Sequence, residues 1–181
     1  MQKHLLAIPN RCTGCNRCTY ACSAVKEGMF RPSMARIKIN NFPLQGYSVP
    51  SICFQCPKPD CLNACPQKAI FKNERDVVVV DARKCDGCGE CVTACPYGMI
   101  EQYGSGKAFK CDLCGGNPAC AAECQYEALV FKEPDKISRK LRTVQMKQRI
   151  ADGSPGDKRH QLAANILNQA VRIPRTAGYM G

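Results

Sequence analysis

The sequence predicts an α+β fold in which short strands and short helices are arranged about four groups of cysteine, followed by a helical tail. Three observations predict it. All 16 cysteines of the 181 residues fall into four groups of four, with none left over. Short apolar or alternating runs of strand length lie against those groups. After the last cysteine the apolar residues recur instead at helical spacing. Only six phenylalanines and no tryptophan are present, so apolar material is scarce and whatever the thiols bind must act as part of the core. Without it the chain is not expected to fold.

The central stretch reads Cys53-x2-Cys56-x4-Cys61-x3-Cys65-Pro66, then Cys85-x2-Cys88-x2-Cys91-x3-Cys95-Pro96. The second run has the spacing at which three close thiolates hold one [4Fe-4S] cluster and the fourth reaches across to another. A tight loop can wrap three iron corners, whereas the fourth cysteine sits on the helix that follows and points away. Proline after it ends the local turn. The pattern recurs on both sides, as Cys12-x2-Cys15-x2-Cys18-x3-Cys22 and as Cys111-x2-Cys114-x5-Cys120-x3-Cys124.

Groups two and three are contiguous and together resemble a bacterial ferredoxin, which leaves groups one and four to form a second unit around them. The expected architecture is two bacterial-ferredoxin-like 2[4Fe-4S] modules, one nested inside the other. Residues 1–30 and 104–133 form the outer module, 31–103 the inner one and 134–181 a basic helical tail. On this reading Cys12, Cys15, Cys18 and Cys124 hold one cluster, and Cys111, Cys114, Cys120 and Cys22 its neighbour. Cys53, Cys56, Cys61 and Cys95 hold a third, and Cys85, Cys88, Cys91 and Cys65 the fourth. Simple tandem duplication would pair group one with two and three with four, placing Cys22 beside Cys53, Cys56 and Cys61.

In chain order, Leu5 to Ile8 suits an edge strand before the first cysteine loop, and Ser23 to Gly28 completes a short helix. Arg36-Ile37-Lys38-Ile39 alternates as a half-buried strand does. Pro43, Gly46 and Pro50 break the next stretch into turns. Ala69-Ile70-Phe71 and Val77 to Asp81 suggest a β-ribbon about a turn near Asn73 to Arg75. Tyr97 to Tyr103 and Lys107 to Lys110 flank Gly104-Ser105-Gly106 as a hairpin would, and Ala128 to Phe131 is a last strand.

Competing chemistries are weaker. A disulfide scaffold of this density belongs to an oxidising compartment, but MQKHLLAIPN carries neither an apolar signal core nor a twin arginine, so a cytoplasmic location is expected. No run approaches the roughly 20 apolar residues of a membrane span. Four all-cysteine zinc sites remain an alternative, and a basic tail beside them would suggest nucleic-acid binding. However, Cys-x2-Cys-x2-Cys crowds thiolates more than zinc knuckles do, and the tail lacks aromatic residues to stack on bases; no nucleic-acid partner is expected. His4 and His160 lie outside every cysteine loop and read as solvated. No Gly-x-Gly-x-x-Gly stands between strand and helix, and four protein thiolates per cluster leave no iron open to substrate. No catalytic residue is therefore expected: the clusters pass electrons, and the chemistry belongs to a partner.

The formal charge of +11 changes once clusters are counted. Each cluster with its thiolates carries about −2, so four bring about −8. Residues 134–181 hold 10 basic and 3 acidic residues, which leaves an acidic body with a basic tail.

The four-group layout over residues 1–133 resembles the polyferredoxin electron-transfer subunits of molybdenum and tungsten oxidoreductases, the dimethyl sulfoxide reductase iron-sulfur subunit type. Pro32-Ser33-Met34-Ala35-Arg36-Ile37, Cys53-Phe54-Gln55-Cys56 and Lys110-Cys111-Asp112-Leu113-Cys114-Gly115-Gly116 most resemble small subunits paired with tungsten aldehyde oxidoreductases. The resemblance implies a catalytic partner that oxidises aldehydes to acids at a tungsten pterin, a molybdenum pterin being the variant, with this chain carrying the electrons away. A further redox subunit, such as a flavoprotein or a soluble ferredoxin, is expected to receive them. Subunits of formate dehydrogenases, hydrogenases and other molybdenum oxidoreductases share the scaffold and are the alternative. The chain departs from the ferredoxin form where Ser23 follows Cys22 and Gln125 follows Cys124, which predicts a less tightly framed outer module.

In the tail, Ile137, Leu141 and Val144 recur at helical spacing, as do Leu162, Ile166 and Ala170 with Leu167 and Val171 beside them. Gly153-Ser154-Pro155-Gly156 separates the two helices. Either both pack on the chain's own surface, or the tail docks on the catalytic subunit or associates with a second copy.

Overall fold

Antiparallel strand pairs carry the cysteine loops in the computed structural model, which describes residues 3–103 and 106–171. The order is β1 (His4–Ala7), α1 (Arg17–Glu27), β2 (Lys38–Phe42), β3 (Tyr47–Ser51), α2 (Asp60–Asn63), β4 (Ile70–Lys72), β5 (Val78–Val80), α3 (Glu90–Ala94), β6 (Ile100–Gln102), β7 (Ala108–Lys110), α4 (Ala119–Ala122), β8 (Leu129–Lys132), α5 (Lys136–Lys147) and α6 (Pro155–Val171). The first strand pairs with the last of the body: β1 runs antiparallel to β8 with His4 opposite Lys132 and Ala7 opposite Leu129. The other pairs, β2–β3, β4–β5 and β6–β7, are local hairpins. The tip of the β6–β7 hairpin at Gly104 and Ser105 lies outside the described residues.

One segment differs from the sequence expectation. The alternating run at 36–39 lies only partly in β2, and the stretch read as turns contains β3, with Pro50 opposite Ile39. A two-stranded sheet has only edge strands, so proline's missing N–H need not break a ladder bond. The turn itself is a 3₁₀ piece at Pro43–Gln45 closed by Gly46 at φ 66°.

The residue three after Cys65, Cys95 and Cys124 is left-handed in each case: Lys68 (φ 49°), Gly98 (φ 62°) and Glu127 (φ 50°). Its N–H returns to the carbonyl of the cysteine, at 3.2, 3.4 and 3.1 Å respectively. Gln125 therefore does not loosen the frame: Cys124 has the same turn as the two Cys-Pro sites. Cys22 does differ, because α1 runs on past it to Glu27 and stops at left-handed Gly28. Ser23 is fully buried there, its hydroxyl donating to the Tyr20 carbonyl at 3.1 Å and accepting from the Arg31 N–H at 3.0 Å.

Two apolar clusters surround the cysteines, one on Phe54, Ile70, Val78, Tyr97 and Ile100, the other on Leu5, Ile37, Ile52, Leu113 and Leu129. A third joins Phe42 and Val49 to Ala163 and Leu167 of α6. So α6 packs on the chain's own body. Its start is fixed by a reciprocal cap, the Ser154 N–H donating to Asp157 Oδ2 at 2.9 Å and the Asp157 N–H to Ser154 Oγ at 3.2 Å. By contrast, Ile137, Leu141 and Val144 of α5 are exposed. The Ala170 and Val171 side chains and residues 172–181 lie outside the described residues.

Gly98 shows how closely α6 is seated. A Cβ there would collide with the Pro155 carbonyl oxygen, a backbone atom that can yield only if the helix moves. Gly98→Ala is expected to destabilise by about 1–3 kcal/mol, lowering the thermal midpoint by about 2–4 °C per kcal/mol as followed by circular dichroism. Lys68→Ala, in the same backbone conformation on an exposed turn, should leave the midpoint within about 1 °C.

Candidate metal centres

The four cysteine loops share a bend at the same position. The residue before the second cysteine is left-handed in each: Gly14 (φ 71°), Gln55 (φ 47°), Gly87 (φ 82°) and Leu113 (φ 58°). At Gly87 no side chain could fit, because a Cβ would meet the Gly106 carbonyl oxygen at 2.7 Å. At Gln55 the unusual conformation is fastened by its amide. Nε2 donates to the Cys111 carbonyl at 2.7 Å and Oε1 accepts from the Val78 N–H at 2.9 Å, so one buried side chain ties the group-two loop to the first cysteine of group four.

Folding brings the thiols into four sets. Cys12, Cys15 and Cys18 are joined by Cys124: burial pushes the Cys18 thiol up to about 12, with Cys12, Cys124 and Cys15 adding to the rise. Cys22, Cys111, Cys114 and Cys120 line one apolar-walled cavity, closed by Leu5, Ile37, Ile52 and Leu113 and touched by Cys53. Cys53, Cys56, Cys61 and Cys95 line a second, against Phe54, Tyr97, Met99 and Ile100. Burial raises both Cys56 and Cys61 to about 12, helped by Cys53 and Cys95. Cys65, Cys85, Cys88 and Cys91 line a third, with Ala69, Ile70 and Ala108, and burial followed by Cys85, Cys65 and Cys88 lifts Cys91 to about 11. Cys15 and Cys88 are exposed, whereas at least one member of every set is buried.

Backbone N–H groups are aimed at sulfur. Arg36 donates to Cys22 Sγ at 3.2 Å, Ala69 to Cys65 Sγ at 3.3 Å, and Met99 and Ala108 to Cys95 and Cys85 Sγ at 3.4 Å each. Such donors stabilise a thiolate over a thiol. An all-thiol donor set, enclosing apolar-walled space and met by N–H groups, fits an iron–sulfur cluster.

His160 is exposed as expected, its ring 5.0 Å from Phe42. His4 is instead half-buried in β1, and burial, then Arg142 and Arg139, lower its pKa.

Residues 44–134 match the model of the 4Fe-4S dicluster domain, and residues 9–25 that of a 4Fe-4S binding domain. The chain belongs to the 4Fe-4S dicluster domain family. It is 44% identical over 124 residues to the "Aliphatic sulfonate oxidoreductase, polyferredoxin-like subunit" of Pyrococcus furiosus, which covers 66% of this chain and 70% of that one. The "Electron transport protein HydN" of Escherichia coli is 32% identical over 166 residues, 76% of this chain and 91% of that one. A tetrathionate reductase subunit of Archaeoglobus fulgidus is 40% identical over 109 residues, 58% of this chain, and the match spans only 51% of that subunit. This member of the family is an iron–sulfur, polyferredoxin-like protein, similar to electron-transfer subunits of oxidoreductases.

Four residues beside the sets escaped sequence reasoning: Gln55, Lys110, Arg142 and Lys158. For Gln55 the available signal was a bulky polar residue where the two evenly spaced groups have Gly14 and Gly87. The three cations carry no motif. Gln55→Glu removes the donor to the Cys111 carbonyl and sets a carboxylate against it, which is expected to destabilise by about 1–3 kcal/mol. A lower thermal midpoint and faster loss of iron to a chelator would be the readout, with Gln45→Glu on an exposed turn as the unaffected control.

Proposed function

We propose that the chain binds four [4Fe-4S] clusters, one in each thiol set, and relays electrons between a catalytic oxidoreductase subunit and a second redox partner. The observation that carries this reading is a link between the first set and the second, the second and the third, and the third and the fourth. Cys18 of the first set is among the thiols that raise Cys120 of the second. Cys53 of the third lines the cavity of the second. Cys61 of the third and Cys91 of the fourth lie on α2 and α3, which pack together. The two exposed thiols, Cys15 and Cys88, belong to the outermost sets, and neither inner set has an exposed thiol, an arrangement suited to a path with a port at either end. A [4Fe-4S] cluster held by each set would supply the electron-transfer chemistry.

The chain's own residues keep the inner sets dry. Phe54, Tyr97 and Met99 wall the third set, and Leu5, Ile37 and Leu113 the second. The β1–β8 pairing, the Cys18–Cys124 proximity and the Gln55 bridge support the nested reading, in which the outer module at 1–30 and 104–133 encloses the inner one at 31–103. If the modules are nested, Cys12→Ser, Cys124→Ser and the double variant should all lose the same one of four paramagnetic signals in the reduced protein. Loss of different signals from the two single variants would favour tandem pairing.

For the catalytic partner we favour a tungsten-pterin enzyme that oxidises aldehydes, supported by the motif resemblance and by relatives named as subunits of oxidoreductases. A flavoprotein or a soluble ferredoxin suits the other port. Exposed Ile137, Leu141 and Val144 on α5 support docking of that helix on a further subunit or a second copy. Among the described residues no helix is long and apolar enough to cross a membrane, and a cytoplasmic setting belongs to the same proposal. Affinity purification with metal analysis is the test. Tungsten in the associated subunit, with aldehyde-dependent bleaching of the visible absorbance, is expected; molybdenum with formate-dependent bleaching would instead identify a formate dehydrogenase subunit.

A further inference from the structure

Resting on the reading that Cys53, Cys56, Cys61 and Cys95 hold one of the clusters, the placement of three cations bears on how the four sites differ. Lys110 is buried, and its Nζ donates to the Val78 and Cys111 carbonyls at 2.5 and 2.9 Å. Arg142 of α5 is half-buried and donates through Nη2 to the Phe54 and Gln55 carbonyls, the latter at 3.1 Å. Lys158 of α6 is 2% exposed and donates to the Thr93 and Cys95 carbonyls at 2.9 and 3.3 Å. Arg142 and Lys158 therefore end on backbone that carries or adjoins this set's cysteines, and Lys110 lines the same set's cavity while bonding the Cys111 carbonyl of the second set.

None of the three has a carboxylate partner among the described residues. That is unusual for buried charge, because carbonyls satisfy hydrogen bonds but leave the net charge uncompensated. Two of them face thiols: burial lowers Arg142 while Cys56, Cys53 and Tyr97 favour its charged form, and Lys110 favours ionisation of Cys61 and Cys111; Lys158 reaches the set through the Cys95 carbonyl. The one carboxylate near Cys56, Asp60, is already bonded to Arg149 at 2.6 Å.

The other sets lack this environment. Beside the second set Lys26 is paired with Asp112 at 2.6 Å, and Arg36 is paired with Glu27. The fourth set has a carboxylate on its wall, Asp86, which accepts from the Cys88 N–H at 3.1 Å. Around the first set Arg11 and Arg17 reach Glu127 and Glu123 on the surface.

We propose that Lys110, Arg142 and Lys158 make the site of Cys53, Cys56, Cys61 and Cys95 the highest-potential station of the line, and that the basic tail supplies two of those charges in cis. An added electron takes a site with four thiolates from about −2 to about −3, and an unpaired buried cation favours the more negative form. The tail's positive charge is thus used inside the chain as well as at its surface. Lys110 stands between the second and third sets, so the two tail residues give the cleaner test.

The experiment is a dye-mediated redox titration of the full-length, iron-loaded protein, followed by electron paramagnetic resonance, with iron and acid-labile sulfide measured alongside. Arg142→Gln and Lys158→Gln should each lower the highest midpoint by at least a tenfold change in the reduction constant, about 59 mV for one electron, while the other three hold. Arg142→Lys, which keeps the charge but not the guanidinium fork, should retain most of the parental value. An unchanged highest midpoint in either Gln variant, or an equal fall in Arg142→Lys, overturns the proposal. Should Arg142→Gln lose iron, Lys158→Gln and Arg142→Lys decide it by the same criteria. A parent protein with iron for fewer than four clusters would count separately against the ligand reading.

Discussion

Thiols from opposite ends of the cysteine-bearing chain come together where β1 closes on β8, Cys124 beside Cys12, Cys15 and Cys18. The strand pair buries Leu5 and Leu129 in one cluster with Cys18, Cys22 and Cys120, so the same contact that closes the sheet positions the sulfurs. Arg11–Glu127 and Arg17–Glu123 span the same closure, but exposed pairs of this kind contribute only about 0–1 kcal/mol. The apolar strand contact stabilises the closure more than they do. Inside that frame, Gln55 fastens the group-two cysteine loop to the first cysteine of group four.

Much of this was legible because it was written in spacing. The cysteine groups, the strands β1, β4, β5 and β8 next to them, and the two tail helices follow from periodicities of two and of three to four. The pairing of strands distant in sequence could be inferred only from matching flanks. β3 was hidden by Gly46 and Pro50, residues that usually mark turns, because a proline in a two-stranded sheet leaves no ladder bond to break. The frame around Cys124 was underestimated for the converse reason: the turn there depends on a left-handed third residue, Glu127, and not on proline.

The tail shows where sequence reasoning stops. Lys158 and Arg159 have the chemistry of surface residues, yet both are buried, Arg159 paired with Glu101 at 2.6 Å. Glu101 also meets Lys38 at 3.1 Å, so α6 is locked to the β6 and β2 hairpins by charge as well as by Leu162, Ala163 and Leu167. In the sequence the tail's charge read either as solvated or as meeting an external partner. Its carbonyl-bound cations, Arg142 and Lys158, instead end on the backbone around Cys53, Cys56 and Cys95, while Ile137, Leu141 and Val144 of α5 stay exposed. Helix α6 packs on the body along its apolar face, whereas α5 reaches the body through Arg142 and leaves Ile137, Leu141 and Val144 exposed.

The central claim is the membership of the four thiol sets, and iron-edge anomalous diffraction from anaerobically grown crystals tests it most directly. The account predicts four compact iron sites in a line, with Cys124 Sγ bound at the site of Cys12, Cys15 and Cys18, and Cys95 Sγ at that of Cys53, Cys56 and Cys61. Cys65 Sγ at the first of those sites, or zinc-edge in place of iron-edge signal at any of them, would contradict it.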